Sequence, residues 1–338
     1  MIRKFTYIFV FALVTIVGQK SFAQQDAQYS QFMFNRLSYN PAFAGSSDKI
    51  CATLLGRNQW NQFGGGNVTS DLGSVARGAN PTTILANIHA PIGKRFGIGA
   101  NFNSDELGFS KIVSFNATLA YKQSIGSNGG ILAGGIGVGI VQEGLDGTKL
   151  KAIDPSDPKI PTGNITDLGL DLNFGLYYTQ EQLSIFNNFY AGISSTHLNT
   201  PKLEIRDASS NGFTSQYVRH YYFITGAEYE LNSAFTLNPN IMVKTDMVKT
   251  TTDINATLIW NQNIRGGLSY RTFNDLVVMA GYEFPFGLNI GYSYDLTMGK
   301  ILNYSTGTHE IMLRYCFGVK IPPREPKIPI PRLTPRFL

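Results

Sequence analysis

Gly287-Leu288-Asn289-Ile290-Gly291-Tyr292-Ser293-Tyr294-Asp295 is the stretch whose reading decides the fold. As a strand it sets Leu288, Ile290, Tyr292 and Tyr294 on one face and Asn289, Gly291, Ser293 and Asp295 on the other. Its neighbours repeat the pattern. Val278, Ala280, Tyr282 and Phe284 alternate with Met279, Gly281 and Glu283, and Ile311, Leu313, Tyr315 and Phe317 alternate with Glu310, Met312, Arg314 and Cys316. An antiparallel sheet facing bulk water favours Lys, Glu and Thr on its polar face. Here the polar face is rich in Gly, Asn and Ser and the apolar face in aromatics, the pattern of a wall with lipid outside and a lumen inside.

Outward from this stretch, from Ile50 on, the chain reads as fourteen candidate strands: 50–58, 81–91, 94–105, 111–125, 130–142, 166–180, 184–196, 217–231, 233–245, 252–262, 263–272, 276–285, 286–297 and 307–319. Tight turns at 91–94, 126–129, 181–184, 231–234, near Gln262 and at Pro285 alternate with long or variable connections at 59–80, 143–165, 197–216 and 298–306. Short periplasmic turns and longer outer loops are the habit of outer-membrane barrels, and an even strand number puts both barrel ends in the periplasm. The expected fold is therefore all-β, a transmembrane antiparallel up-and-down β-barrel over 50–319. Glycine runs such as Gly134-Gly135-Ile136-Gly137-Val138-Gly139 weaken a strand unless they allow curvature or close packing. Tyr121, Tyr177, Tyr178, Tyr221, Tyr222, Phe223 and Tyr229 recur near strand ends, as interfacial aromatic belts require, with some left over to fill the lumen.

The composition agrees. Apolar residues make up 43% of the 338, yet mean hydropathy is only -0.06, so the apolar character is dispersed by alternation. The one long apolar run is at the start: Arg3 and Lys4, then 5–17, then Ser21-Phe22-Ala23, read as an export leader over 1–23 removed after Ala23. Losing Arg3, Lys4 and Lys20 with it lowers the formal charge from +5 to +2. The tail 320–338 holds five bases and one acid, so the body is left near -2 and carries no interleaved bases and aromatics of a nucleic-acid surface. That tail is proline-rich and extended, an expected periplasmic arm whose Arg324, Lys327, Arg332, Arg336, Phe337 and Leu338 are candidate partner-binding residues. Residues 24–49 fit neither a long strand nor a regular helix, and their aromatics need cover, so this segment is expected to pack on or in the barrel.

No enzyme, cofactor or metal site is expected. His89, His197, His220 and His309 are scattered without HExxH or paired-Cys spacing, there is no GxSxG elbow, and no helix follows the glycine runs to form a phosphate loop. Asp154, Asp157 and Asp167 could attract calcium, but a solvated outer loop accounts for them.

Several motifs in chain order carry a resemblance. They are Gln28-Tyr29-Ser30-Gln31-Phe32, Asn40-Pro41-Ala42-Phe43-Ala44-Gly45, Arg57-Asn58-Gln59-Trp60, Gly192-Ile193-Ser194-Ser195-Thr196-His197-Leu198, Ser269-Tyr270-Arg271, Gly291-Tyr292-Ser293-Tyr294-Asp295 and Gly307-Thr308-His309-Glu310-Ile311. With these the chain resembles the PorP/SprF family of Bacteroidetes outer-membrane proteins. The resemblance implies an outer-membrane barrel of the type IX secretion system that helps secrete or hold at the surface substrates such as gliding adhesins. It also implies contacts with their C-terminal signal domains and with periplasmic machinery, besides membrane lipid. Within the motifs, Asn40, Pro41, Gly45, Arg57, Gln59, Trp60, His197, Arg271, Asp295, His309 and Glu310 are expected to shape the structure. A general porin or small-molecule transporter is the competing reading, and it would need separated rows of lumen charges. Lumen positions dominated by Gly, Asn, Ser and Thr with few charges favour a plugged secretion component.

The two cysteines report on closure. Arg57 and Arg314 avoid lipid, so strand parity turns Cys51 and Cys316 inward at the periplasmic ends of the first and last strands. Antiparallel closure brings them near one another in an oxidising compartment, as a disulfide or as two free thiols.

Overall fold

The structure, a computed structural model, describes residues 26–47, 49–61, 80–126, 129–150, 161, 163–206, 212–272, 275–298 and 305–318. The leader, most of the first outer loop, the acidic run 154–158 and the tail 320–338 lie outside the described residues. Fourteen antiparallel strands close into a barrel, as the alternation demands. They are β1 (Lys49–Asn58), β2 (Thr82–Ile92), β3 (Phe96–Leu107), β4 (Ser110–Ile125), β5 (Gly130–Asp146), β6 (Asn164–Leu183) and β7 (Phe186–Thr196), followed after an inserted hairpin by seven more. The hairpin is β8 (Lys202–Arg206) with β9 (Gly212–Gln216). The barrel then continues with β10 (His220–Glu230), β11 (Phe235–Thr245), β12 (Thr250–Trp260), β13 (Ile264–Arg271), β14 (Asp275–Glu283), β15 (Leu288–Thr297) and β16 (Thr308–Gly318). Each strand pairs with its sequence neighbour, except that β7 pairs with β10 and β1 closes on β16.

The facing follows the pleat. In β15, Asn289, Ser293 and Asp295 are buried in the lumen while Ile290 and Tyr292 are exposed on the outer surface. Leu54, Ile84, Ile88, Phe102, Phe115 and Ile136 extend that apolar outer surface around the wall. A water-facing sheet would not leave so much apolar area open; a bilayer accepts it. Among the described residues no helix is long and apolar enough to cross a membrane.

Strand length is uneven. β6 has 20 residues and β5 has 17, whereas about 9–11 suffice to cross a bilayer. The β4–β6 wall therefore rises beyond the lipid on the outer side, and the inserted hairpin leans against it. Leu203 and Ile205 of β8 are fully buried with Val141, Ile165 and Tyr217 in a small second core. A side chain on Gly169 of β6 would lie 2.8 Å from Leu203 Cδ2, so the wall is glycine where the hairpin touches it. The expected connection 197–216 thus holds a hairpin: β8 alternates, with Leu203 and Ile205 buried, and is a strand hidden within a long connection, whereas β9 shows no alternation.

At the periplasmic end the seam is covalent. Cys51 of β1 stands opposite Cys316 of β16, with Cα atoms 4.1 Å apart and the sulfurs bonded. Denatured but unreduced protein should therefore run as a closed loop, faster on a gel than the reduced chain. Cys51→Ser should abolish that difference and lower stability by about 2–4 kcal/mol. Equal mobility of reduced and unreduced wild type would contradict the bond.

Candidate functional site

The lumen is filled by the chain's own leading segment. A 3-10 turn (Phe32–Phe34), the short helix α1 (Arg36–Tyr39) and a second 3-10 turn (Pro41–Phe43) descend from the outer mouth to the periplasmic end, where the chain enters β1. No periodicity could sustain a longer helix here, so local caps do the shaping. The Asn40 side chain accepts from Ala42 N at 2.9 Å, and Pro41 supplies a preset first helical residue. Asn40 Nδ2 also donates to the carbonyls of Leu176 and Ile193, at 2.9 and 3.2 Å, tying the turn to β6 and β7. Gly45 ends the plug at φ +65, where an added Cβ would lie 2.6 Å from Gly97 Cα.

Glycines of the wall are seats for this plug. A Cβ on Gly135 would stand 2.5 Å from Ala42 Cα, and one on Gly175 would stand 2.8 Å from Asn40 Cγ. Gly135, within the glycine run of β5, is thus what lets backbone meet backbone there. Around the seats, Phe32, Met33, Leu37, Tyr39 and Phe43 form one core with inward residues such as Leu55, Leu85, Tyr190 and Met312. Tyr177 and Tyr222 belong to this core and not to the lipid belt, a correction to the belt reading; Tyr121 and Phe223 do face outward. Arg36 lies inside the core with its guanidinium 3.8 Å from the centre of the Tyr190 ring and Nη1 donating to Tyr177 OH at 2.9 Å.

Charge gathers at the outer half of the lumen, against the expectation of few charges there. Arg57 Nη2 meets Asp295 Oδ2 at 2.8 Å and Nη1 meets Glu310 Oε2 at 3.1 Å. Arg271 meets Asp253 at 2.6 Å, Asp275 at 3.0 Å and Asp295 at 3.6 Å. Sheet register brings these together: Arg57 pairs across the seam with Glu310, and Arg271 has Asp253 on one side and Asp275 on the other. The plug completes the set. Ser30 N and Gln31 N donate to the two Glu310 oxygens at 2.9 and 2.8 Å, Ser30 Oγ donates to Asp295 at 2.6 Å, and Arg57 donates to Ser30 Oγ at 2.8 Å. Both arginines, Asp295 and Glu310 are at most 3% exposed, so their charges are met by one another, by Asp253 and Asp275, and by the plug.

A second polar cluster holds the start of the plug at the mouth, beyond the end of β7. His197 lies between two carboxylates, with Nε2 2.8 Å from Asp26 Oδ1 and Nδ1 2.7 Å from Asp171 Oδ1. Burial favours its neutral form, but Asp26 and Asp171 outweigh burial and push its pKa up to about 10. Burial likewise works against the Asp26 charge, yet His197 and His220 hold that carboxyl well below the usual range. Tyr222 OH donates to Asp26 Oδ2 at 2.6 Å, and Lys244 Nζ donates to the Asp26 carbonyl at 2.7 Å.

The motif residues thus divide. Asn40, Pro41 and Gly45 shape the plug, and Arg57, Arg271, Asp295 and Glu310 form the ion network. Gln59 and Trp60 continue β1 at the outer rim through backbone bonds to Pro81 O, 2.8 Å, and Thr308 Oγ1, 3.1 Å. His309 stands apart from the network, its Nδ1 2.7 Å from Tyr292 OH on the outer surface. Asp26, Arg36, Asp253 and Asp275, missed in the sequence, complete the clusters. Arg271 and Asp275 are only four residues apart, but Arg57 with Asp295 and Glu310, and Asp26 with His197, lie too far apart in the chain for any local spacing to join them.

A closed barrel with an apolar outer face and a charged lumen plugged by its own chain defines an outer-membrane protein. The chain matches the family described as type IX secretion system membrane protein PorP/SprF over residues 21–315, and it belongs to that family. Among solved structures it is similar to a Pseudomonas aeruginosa FadL homologue, at 12% identity and TM-score 0.45, covering 82% of this chain and 92% of that one. It is also similar to the Pseudomonas putida toluene transporter TodX, at 13% identity and TM-score 0.42, covering 83% and 91%. The translocator domain of the autotransporter NalP from Neisseria meningitidis aligns at 12% identity and TM-score 0.41, covering 80% and 87%. A comparison with curated proteins finds no match.

Proposed function

We propose that this protein is a plugged docking barrel of the type IX secretion system and not a conduit. The observation that carries the reading is the plug, seated on wall glycines and stitched through Ser30 and Gln31 to buried Glu310 and Asp295. A segment whose backbone satisfies buried wall charges cannot leave without exposing those charges, so cargo travels elsewhere and is received at the outer rim. The raised β4–β6 wall with its hairpin is the surface offered to the C-terminal signal domains of secreted substrates, gliding adhesins among them. No reacting constellation is used, and the role is non-enzymatic. On the opposite side the basic tail, with Arg324, Lys327, Arg332, Arg336, Phe337 and Leu338, joins the barrel to periplasmic machinery through an acidic or polar groove.

Pull-down of the full-length protein from the native envelope should recover substrate C-terminal domains and machinery proteins together. Deleting residues 322–338 should leave barrel assembly intact, read as the mobility shift of an unheated sample, and abolish substrate secretion or surface display. Normal display by the truncated chain would remove the docking role from the tail.

A further inference from the structure

His220 is underused by the protein alone. Its ring is 2% exposed, yet its Nε2 has no hydrogen-bond partner, and Nδ1 reaches only the Val218 carbonyl at 3.2 Å. Nδ1 stands 3.8 Å from Asp26 Oδ2, too far for a hydrogen bond. A buried polar atom without a partner costs about 1–3 kcal/mol and calls for an explanation, an ion being one of the few available.

The surroundings supply a set of ligands beside this ring, with Nδ1 the nitrogen that faces Asp26. One nitrogen from each of His197 and His220 and one oxygen from Asp26 lie within 4.8 Å of one another. They border a cavity of about 70 Å³ that Tyr217 also lines, room for an ion and a water, which needs only about 10–15 Å³. Asp171 holds Nδ1 of His197 at 2.7 Å, the carboxylate that orients a ligating imidazole and leaves Nε2 for the metal. We propose that Asp26, His197 and His220 bind a divalent transition-metal cation, zinc by this donor set, at the outer mouth of the lumen. Two imidazoles, one carboxylate and a water make a four-coordinate zinc site. Closing the ligand atoms to the spacing set by bonds of about 2.0–2.1 Å takes a rotation of the His220 ring, which is held by the Val218 carbonyl and by packing against Tyr222 and His197. The three ligands come from the plug, the β7–β10 connection and β10, so the cation pins the start of the plug to the wall.

An imidazolium of His197 bridging Asp26 and Asp171 would satisfy the same carboxylates without metal, and it would leave His220 idle. Full-length protein in detergent, stripped with a chelator and titrated with cobalt(II), distinguishes the two. The expected result is uptake of a single equivalent with the strong visible bands of a four-coordinate site, displaced by zinc. His220→Ala, which removes no bond holding the plug, should reduce uptake more than about tenfold with the unheated gel mobility unchanged, and Asp171→Asn should weaken it about 10–100-fold. His197→Gln provides a second ligand deletion if His220→Ala fails to assemble. Wild type that takes up no cobalt, or takes up as much as its ligand variants, would overturn the site.

Discussion

Removing residues 26–44 is expected to turn a silent barrel into a channel. In planar bilayers the full-length protein should give no steady conductance, because Phe32, Met33, Leu37, Tyr39 and Phe43 fill the lumen together with inward wall residues. Barrels of 16–18 strands left unfilled hold an aqueous channel, and diameter falls only in proportion to strand number, so fourteen strands emptied of their plug still enclose water. The shortened protein should show large stepwise conductance with cation preference. It leaves Asp253, Asp275, Asp295 and Glu310 around only Arg57 and Arg271, an excess of acid facing the new pore. A full-length protein that conducts steadily would return the reading to a general porin.

The second large effect is at Arg57. Arg57→Met is expected to lower stability by about 3–5 kcal/mol, because it strands two buried carboxylates that the cation had paired. The loss is read as a fall in the urea concentration at which the unheated gel mobility is lost. Asp295 keeps Arg271 at 3.6 Å and Glu310 keeps the plug amides of Ser30 and Gln31, so the barrel should still assemble. Adding Glu310→Gln to Arg57→Met should recover part of the loss, since one of the two stranded charges is then gone. A single substitution within about 0.5 kcal/mol of wild type, the range of an ordinary surface change, would mean that the network is not closed.

The wall was legible because its signal is local and repeated. In β15 and β16 most residues declare their face by their chemistry, Met312 and His309 being exceptions, and Arg57 and Arg314 turned whole strands inward by parity. Parity and closure brought Cys51 near Cys316 and left the bond open; the register of the closed seam sets them opposite one another, bonded. The plug was legible only as aromatics in need of cover, because its two 3-10 turns and single helical turn have no period to read. The ion network was hidden for a different reason. Glu310 stands 280 residues from Ser30 in sequence, and the two meet only once fourteen strands have closed. The same holds for Asp26 and His197, 171 residues apart. Tyr177 and Tyr222 misled because an aromatic near a strand end looks alike whether it faces lipid or a plug. The β8–β9 hairpin was lost because β8 alternates over only five residues inside a long connection and its partner β9 does not alternate at all.

The central claim is that the plug stays in place while the barrel works. Ser38 Oγ of α1 donates to Asn101 Oδ1 of β3 at 2.9 Å, so Ser38→Cys with Asn101→Cys puts two thiols side by side on plug and wall. Joining them in living cells with a short thiol-bridging reagent fixes the plug, and substrate appearing at the cell surface is then measured against untreated cells and each single-cysteine variant. Unchanged surface display with the plug fixed is the predicted result. Display that stops on bridging and resumes when the bridge is cleaved would mean that cargo passes through the lumen, and the docking account would be wrong.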